Sequence, residues 1–280
     1  MTSPPEPSAD ILAKFNLHSP VFAARSGLAT VWKVTMADGR PAALKCYFDP
    51  TMPDERPGFA YLRALKGHGA CKIYTVEDGL ALMEWLDGPS LGDLARAGQV
   101  IEADERLVQT ACRLLAEPTR ATPDMPHLTN WLAALRDFSP PDDATALTRS
   151  NFARARTLAE KLLENQADMR PLHGDLHHDN VKSTARGNIA FDAKGIVGDR
   201  CYDLANGFLN PVDAPSIVQN PARIKHLAKS WAQAFDTTPQ NLLDWACIHA
   251  ALSASWHIRD GTSADFTMLN LLWDLHDGSK

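Results

Sequence analysis

The sequence predicts an α+β fold of two lobes, in which an N-terminal five-stranded antiparallel sheet lobe with one helix precedes a larger, mainly helical C-terminal lobe. Two observations support this prediction. From Val21 to Trp85, apolar residues occur in short runs separated by turn residues, which is typical of β-strands. After the connector at residues 87–90 they recur at three- and four-residue spacing, which is typical of amphipathic helices.

The N-terminal lobe is predicted from its short apolar segments and the turns between them. Five segments are predicted as strands: residues 21–25, 28–36, 41–48, 71–78 and 79–86. Asp38-Gly39 is a strong hairpin signal between the second and third strands, and Asp78-Gly79 joins the last two. Pro57 can begin a helix that Gly67 ends, with an apolar face between them. One helix is therefore predicted to interrupt the five strands.

The C-terminal lobe is predicted from helical periodicity. Four segments are predicted as helices: residues 90–98, 103–121, 129–138 and 150–169. Short strand-like pieces at 181–185 and 187–193 interrupt them, and the chain is predicted to be helical again from Asp199, with a tryptophan-rich core. The predicted boundaries are an N-terminal tail and lead-in at 1–19, the N-lobe at 20–87 and the C-lobe at 88–280. A cleft at the connector is the expected ligand site.

Composition narrows the class of partner. A net charge of -6 and a pI near 5.9 disfavour nucleic acid or an anionic membrane as the principal partner. Five cysteines are scattered singly without CxxC spacing, which predicts reduced thiols and a cytoplasmic location. The polar, proline-rich start resembles a frayed tail without a signal-peptide core, and no apolar run approaches the roughly 18 residues of a membrane span. A small-molecule partner is therefore expected.

The motif HGDLHHDN, at residues 173–180, allows two interpretations. Its histidines and carboxylates could bind zinc or iron, as in a metallohydrolase, but the other histidines form no HxxxH or HxH pair. Alternatively, phosphoryl transfer requires a carboxylate near the acceptor hydroxyl and oxygen ligands for Mg²⁺. Asp175, Asn180 and Asp192 meet those demands in order, with the spacing of a kinase catalytic loop. In this interpretation His173 bonds the backbone near Asp192, while His177 and His178 line the loop or are partly solvated.

Lys45 lies on the third predicted strand, where kinase chemistry requires a cation for the α- and β-phosphates. A lone lysine on a strand is more often a solvated charge. The motif downstream favours the phosphate-binding interpretation.

With these residues and the segments ADGRPAALK, LALMEWLDGPSLGDLARAG, HGDLHHDNV and FDAKGIVGDRCYDLAN, the chain resembles the aminoglycoside phosphotransferase family, most closely its streptomycin and hydroxyurea kinase branch. The resemblance covers roughly residues 20–210 and implies a protein-kinase-like fold, ATP and Mg²⁺ as cofactors, and antibiotic resistance. It implies that Asp175 accepts the hydroxyl proton, that Asn180 and Asp192 bind magnesium, and that Lys45 contacts ATP phosphates. The catalytic loop is then 173–180 and the metal-binding segment 189–199.

The resemblance also implies a nucleotide hinge at residues 83–86, where the backbone C=O of Glu84 and N–H of Leu86 would pair with adenine. The nucleotide loop at 24–29 has one glycine, so no GxGxxG argument applies, and Ser26 with backbone N–H groups would cover the phosphates. An acid that pairs with Lys45 is expected near Gly58, and Glu55 is the nearest substitute. Asp203 matches an aspartate that braces the catalytic loop.

Several functional alternatives stay open at this stage. The expected activity is ATP- and Mg²⁺-dependent O-phosphorylation of a streptomycin-like aminocyclitol or of a hydroxyurea-like substrate. A metabolite kinase for a choline-, homoserine- or fructosamine-like substrate and a nucleotide-binding pseudokinase are the alternatives on the same fold. Lys194 and Asp199 either contact the γ-phosphate or substrate, or lie in a solvated loop. Four late acids, Asp260, Asp265, Asp274 and Asp277, either form a wall for a cationic sugar or face water.

Overall fold

The structure, a computed structural model, describes residues 4–52, 55–262 and 265–278. The elements of the N-terminal lobe are α1 (Ala9–Lys14), β1 (Leu17–Arg25), β2 (Ala29–Met36), β3 (Pro41–Tyr47), α2 (Arg56–Ala64), β4 (Ile73–Glu77) and β5 (Leu80–Glu84). The strands form one antiparallel sheet in the order β1-β2-β3-β5-β4. The predicted five-stranded sheet with one inserted helix is confirmed.

Turn chemistry sets the register of this sheet. Between β2 and β3, Gly39 has a φ of +82° and the carboxylate of Asp38 accepts a hydrogen bond of 3.0 Å from the Arg40 N–H. Between β4 and β5, Asp78 and Gly79 have φ values of +50° and +74°, the left-handed pair that a tight two-residue hairpin requires. Both turns lie where the sequence predicts them.

The prediction of a frayed tail at residues 1–10 is wrong at residues 8–10, which cap and begin α1. Ser8 caps α1, which precedes β1, and β1 begins at Leu17 rather than at Val21. Ile11, Leu12 and Phe15 pack on the small core that Leu17 and five other residues of the sheet form. The helix α1, with six residues, is too short to show a helical period in the sequence. Residues 1–3 of the lead-in lie outside the described residues.

The C-terminal lobe contains most of the helices. Its elements are α3 (Leu91–Arg96), α4 (Val100–Ala116), α5 (Leu128–Trp131), α6 (Ala133–Arg136), α7 (Ala146–Glu164), β6 (Met169–Leu172), β7 (Val181–Thr184), β8 (Gly187–Ala190), β9 (Ile196–Asp199), α8 (Pro215–Val218), α9 (Pro221–Ala234), α10 (Pro239–Arg259) and α11 (Thr267–Asp277). Two 3₁₀ helices lie at His178–Asn180 and Arg200–Leu209. The sequence predicts β7 and β8 as strand-like pieces, and they pair as a hairpin, whereas β6 and β9, which also pair, are not predicted.

The core of this lobe surrounds α10, which packs against α7, α9, α11 and the second 3₁₀ helix. Trp231, Trp245 and Trp273 are buried there, and Trp256 is partly buried with its ring edge-on to Trp131 at 5.4 Å. The predicted tryptophan core is confirmed. Within the described ranges, no helix is both long and apolar enough to cross a bilayer.

The two lobes meet along α2 as well as at the connector. Tyr61, on α2, is fully buried with the C-terminal core and lies edge-on to the ring of His173 at 6.3 Å. At the start of α2, a Cβ atom on Gly58 would lie 1.7 Å from the carbonyl oxygen of Ala193. The backbone of α2 therefore touches the backbone of the segment after β8, and only glycine allows that approach. The domain boundary at residues 87–88 stays a prediction.

Candidate active site

The catalytic-loop motif forms a braced turn between β6 and β7. The backbone N–H groups of His173 and Gly174 donate to the two carboxylate oxygens of Asp203, at 3.0 and 2.7 Å. The Nε2 atom of His173 bonds the carbonyl oxygen of Phe191 at 3.0 Å, as predicted for the backbone beside Asp192. Burial lowers the pKa of His173 to about 3 and raises that of Asp203 to about 6. His173 is therefore neutral, and both residues support the loop.

Asp175 projects from this turn, and two amides orient its carboxylate. Asn206 donates to Oδ1 at 2.7 Å, and Asn180 donates to Oδ2 at 3.2 Å. Burial raises the pKa of Asp175, which the nearby His177 and Lys194 oppose. A carboxylate whose two oxygens are held in this way has one orientation, which a base that must face a hydroxyl requires.

Asn180 and Asp192 lie at adjacent ends of the β7–β8 hairpin. The hydrogen bond from the Phe191 N–H to the Asn180 carbonyl oxygen, 3.0 Å long, joins these ends. Because the amide nitrogen of Asn180 faces Asp175, its amide oxygen remains for a ligand. Burial raises the pKa of Asp192, but the Lys45 ammonium at 2.7 Å outweighs it and holds the pKa below its usual value. An ionised carboxylate and an amide oxygen are the hard donors that Mg²⁺ prefers.

Glu55 lies between two lysines beneath this segment. Lys45 is 3.3 Å from its Oε2 atom, Lys194 contacts its Oε1 atom, and the Tyr47 hydroxyl donates to Oε2 at 3.0 Å. Burial lowers the pKa of Lys45, but Asp192 and Glu55 outweigh it, so that this pKa is raised. The carboxylate is buried and comes from the residue that precedes α2. The close backbone contact at Gly58 explains why the acid is not carried on the helix itself.

The interlobe cleft, of about 380 Å³, brings six of the predicted site residues together. They are Ser26, Lys45, Glu55, Glu84, Leu86 and Asp192. Apolar side chains from both lobes also line it, including Val31, Met83 and Phe191. Asp175 and Asn180 do not line this cleft, and the hairpin bond described above connects them to it. An apolar cleft beside charged groups suits a nucleoside with its phosphates.

Two predicted nucleotide contacts have local roles in the free protein. The side chain of Glu84 accepts from Arg186 Nη2 at 2.6 Å and from the Lys72 N–H at 3.1 Å, which ties β5 to the turn between β7 and β8. The hydroxyl of Ser26 accepts from the N–H groups of Leu28 and Ala29, both at 3.2 Å. The Glu84 N–H donates to the Lys72 carbonyl oxygen at 2.8 Å, and the Glu84 carbonyl oxygen, which accepts from Cys71 Sγ at 3.5 Å, keeps capacity for a second donor.

Lys194 and Asp199, for which the sequence allowed two roles, lie in different surroundings in the structure. Lys194 pairs with Glu55, next to Lys45. Asp199, in contrast, is buried, and its carboxylate accepts a hydrogen bond of 2.9 Å from the Cys201 N–H, which caps the second 3₁₀ helix. Asp199 therefore has a structural role away from the cleft.

Sequence reasoning missed a buried ionic cluster behind the catalytic loop. His178 is fully buried, so the expectation of partial solvation is wrong for it. Its Nε2 atom bonds Asp104 at 2.8 Å, and Arg223 donates to the same carboxylate at 2.6 and 3.0 Å. These partners lie on α4 and α9, far along the chain, and no local pattern joins them. Asn206 was also missed, although it lies three residues after Asp203, on the same face of a 3₁₀ helix.

A second cavity, of about 410 Å³, begins at Asn206 and extends between α8, α10 and α11. Its polar wall residues include Asn210, Asp213, Gln219, Ser253, His257 and Asp265. One of the four late acids, Asp265, thus lines a cavity, while Asp277 pairs with Arg154 at 2.6 Å. Among residues 4–52, 55–262 and 265–278, no three His, Cys, Asp or Glu side chains group as a metal site.

Known proteins resemble this chain in sequence and in fold. A model of the aminoglycoside/hydroxyurea antibiotic resistance kinase family matches residues 14–261. A streptomycin 3''-kinase of Klebsiella pneumoniae is 34% identical over 236 residues, 82% of this chain and 85% of that kinase. A solved structure of amicoumacin kinase hAmiN with AMP-PNP, Ca²⁺ and Ami has a TM-score of 0.64 at 15% identity, covering 97% of this chain and 94% of that one. For a choline/ethanolamine kinase family protein of Mesorhizobium loti the TM-score is 0.68 at 11% identity, with 96% and 90% covered. The predicted kinase-like fold is confirmed.

Proposed function

Because this chain belongs to the aminoglycoside/hydroxyurea antibiotic resistance kinase family and is a phosphotransferase with a small-molecule hydroxyl as acceptor, we propose that it uses ATP and Mg²⁺ to phosphorylate a streptomycin-like aminocyclitol. The observation that carries this proposal is the doubly held carboxylate of Asp175. It lies next to Asn180, across the hairpin end from Asp192. This arrangement suits direct in-line transfer without a covalent intermediate on the protein.

In the proposed reaction, Asp175 orients the acceptor hydroxyl and accepts its proton, because both of its oxygens are fixed by amides. Lys45 contacts the nucleotide phosphates from β3. Magnesium, held by the oxygens of Asn180 and Asp192, would neutralise phosphate charge. Adenine would pair with the backbone of Glu84 and Leu86, and Ser26 would keep the β1–β2 turn in place over the phosphates.

The charge and lining of the second cavity support a cationic acceptor. Asp213 and Asp265 contribute carboxylates to its wall, which favour an aminated sugar over neutral hydroxyurea. Quaternary ammonium groups such as that of choline are usually held by aromatic cages. Of the described residues lining this cavity, none is Phe, Tyr or Trp, so a choline-like acceptor is disfavoured. The net charge of -6 likewise suits a cationic small molecule better than nucleic acid or an anionic membrane. We also propose a cytoplasmic location, where the five free thiols stay reduced.

The proposal is tested by ATP turnover on a panel of streptomycin, hydroxyurea, choline, homoserine and a fructosamine. We expect turnover with streptomycin and a product that carries one phosphoryl group by mass spectrometry. Asp175→Asn should abolish transfer while ATP still binds by calorimetry, because Asp175 lies outside the nucleotide cleft. Asp143→Asn, an exposed acid before α7, should keep full activity. Turnover retained in Asp175→Asn would refute the role of this residue, and ATP binding without turnover on any acceptor would indicate a pseudokinase.

A further inference from the structure

Two asparagines connect the second cavity to Asp175. Asn206 lies near the end of the second 3₁₀ helix, and its amide nitrogen donates to the carboxylate of Asp175 at 2.7 Å. Asn210 follows directly after that helix, and its amide nitrogen is 2.9 Å from both the backbone oxygen and the side-chain oxygen of Asn206. Both asparagines line the cavity. The two amides thus form a chain of hydrogen bonds that ends on the proposed base.

The direction of this chain follows from hydrogen-bond chemistry. The backbone oxygen of Asn206 can only accept, so the group of Asn210 that faces it must be the amide nitrogen. That nitrogen then donates to the side-chain oxygen of Asn206, which turns the Asn206 nitrogen towards Asp175. One assignment of oxygen and nitrogen satisfies every contact, and it leaves the amide oxygen of Asn210 at the far end.

That oxygen has no hydrogen-bond partner within the described part of the chain, although Asn210 is only 5% exposed. Buried polar atoms without a partner are rare and unfavourable in folded proteins. A donor group on a molecule in the cavity would satisfy it. The oxygen is shielded from water, and residues 211–214 beside it form the rim of the cavity.

The rim itself is tied to the catalytic loop. The Val212 N–H donates to the carboxylate of Asp179 at 3.1 Å, and Arg96 donates to the Val212 carbonyl oxygen at 3.1 Å and to Asp179 at 2.6 Å. Asp179 belongs to the same motif as Asp175. Hydrogen bonds therefore join the rim to the loop that carries Asp175.

We propose that an acceptor in the second cavity displaces the rim at 211–214 to reach Asn210, and that Asn210 and Asn206 act as positioning residues, relaying acceptor binding to the orientation of Asp175. The inference rests on the proposed function and adds the chemical class of the acceptor. The acceptor carries a hydrogen-bond donor, a second hydroxyl or an amine, in addition to the phosphorylated hydroxyl. That donor pairs with Asn210 while Asp175 receives the proton of the reacting hydroxyl.

Steady-state kinetics of Asn206→Ala, Asn210→Ala and the double variant test the relay. Asn206→Ala should lower kcat about tenfold to hundredfold, because the base loses a hydrogen bond to its charged oxygen. Asn210→Ala should raise the KM of the acceptor and lower kcat, and its effect on kcat should vanish in the Asn206→Ala background. The KM of ATP should stay unchanged in all three. Asn165→Ala, which removes an amide bonded to the Lys161 carbonyl oxygen at 2.8 Å, is the matched control outside the cavity.

The relay would be overturned if the losses of kcat in the two single variants add in the double variant. It would also be overturned if Asn210→Ala left the KM of the acceptor unchanged. A merely structural role would instead change ATP binding and lower the melting temperature in step with kcat. Should Asn206→Ala fail to fold, Asn206→Ser, which retains a donor of shorter reach, is expected to show the same loss of kcat. If Asp175→Asn abolishes turnover while the relay variants match the control, the relay fails and the proposed function stands. If the unmodified protein turns over no acceptor, both fail.

Discussion

Replacing Asp104 by Asn should destabilise the protein by about 3–5 kcal/mol, because the isosteric change leaves the buried guanidinium of Arg223 without an anion. The carboxylate is 3% exposed, and it accepts two hydrogen bonds from Arg223 and one from His178. Arg223 also contacts the Asn210 carbonyl oxygen at 3.0 Å and His178 Nε2 at 3.5 Å, and neither carries a negative charge. Because asparagine has nearly the same size as aspartate, no large cavity forms, and the decrease in the free energy of unfolding measures the cost of the unpaired charge.

Urea unfolding of four proteins measures this value: the unmodified chain, Asp104→Asn, Arg223→Met and the double variant Asp104→Leu/Arg223→Met. Apolar replacement of a whole buried ion pair is often neutral, so the double variant should be more stable than either single one. The matched control is Asp137→Asn, which removes an exposed ion pair with Arg136 and should leave the unfolding midpoint unchanged. A loss below about 1 kcal/mol in Asp104→Asn, or a double variant no more stable than the single variants, would refute this reasoning.

Three further outcomes are expected. Burial lowers the pKa of His249 to about 3, so the unfolded state binds a proton that the folded state does not. The free energy of unfolding is therefore full above pH 6.5 and falls as the pH falls. In unfolding titrations between about pH 4 and 6, His249→Asn should reduce the pH dependence of this free energy by about 1.4 kcal/mol per pH unit. Gly58→Ala should lower the melting temperature, because its Cβ would meet the Ala193 oxygen at 1.7 Å, whereas Gly27→Ala has open space and should not. Glu55→Gln should raise the KM of ATP about tenfold, since Lys45 loses a charged partner that positions it, and an unchanged KM would contradict this role.

The elements that the sequence predicts well are those with a period or a turn signal. The β2–β3 hairpin follows from alternation around Asp38-Gly39, and the β7–β8 hairpin lies where short strand-like pieces break the helical pattern. The helix α1 and the β6–β9 pair are four to six residues long, which is too short for a period to be visible. Their formation depends on packing against residues distant in sequence.

The same division applies to the site. Asp175, Asn180 and Asp192 lie in one short stretch of chain, so their spacing alone indicates shared chemistry. Asn206 and the Asp104 cluster join elements that are far apart in sequence, and only the packing of helices brings them to the loop. Glu55 could be predicted in part. Its position near Pro57 suggested it as the acid that pairs with Lys45, but the backbone contact at Gly58, which keeps an acid off the helix, is visible only in the structure.

The charges around Glu55 couple the binding of a nucleotide to the binding of a divalent cation. Lys45 and Lys194 carry two positive charges, and Glu55 and Asp192 carry two negative ones, so the cluster is formally neutral. A nucleotide polyanion entering alone gains little attraction from a neutral cluster and must also displace Asp192 from Lys45. A divalent cation that pairs with Asp192 frees that lysine and leaves a net positive charge. Nucleotide and cation should therefore each strengthen the binding of the other by the same factor.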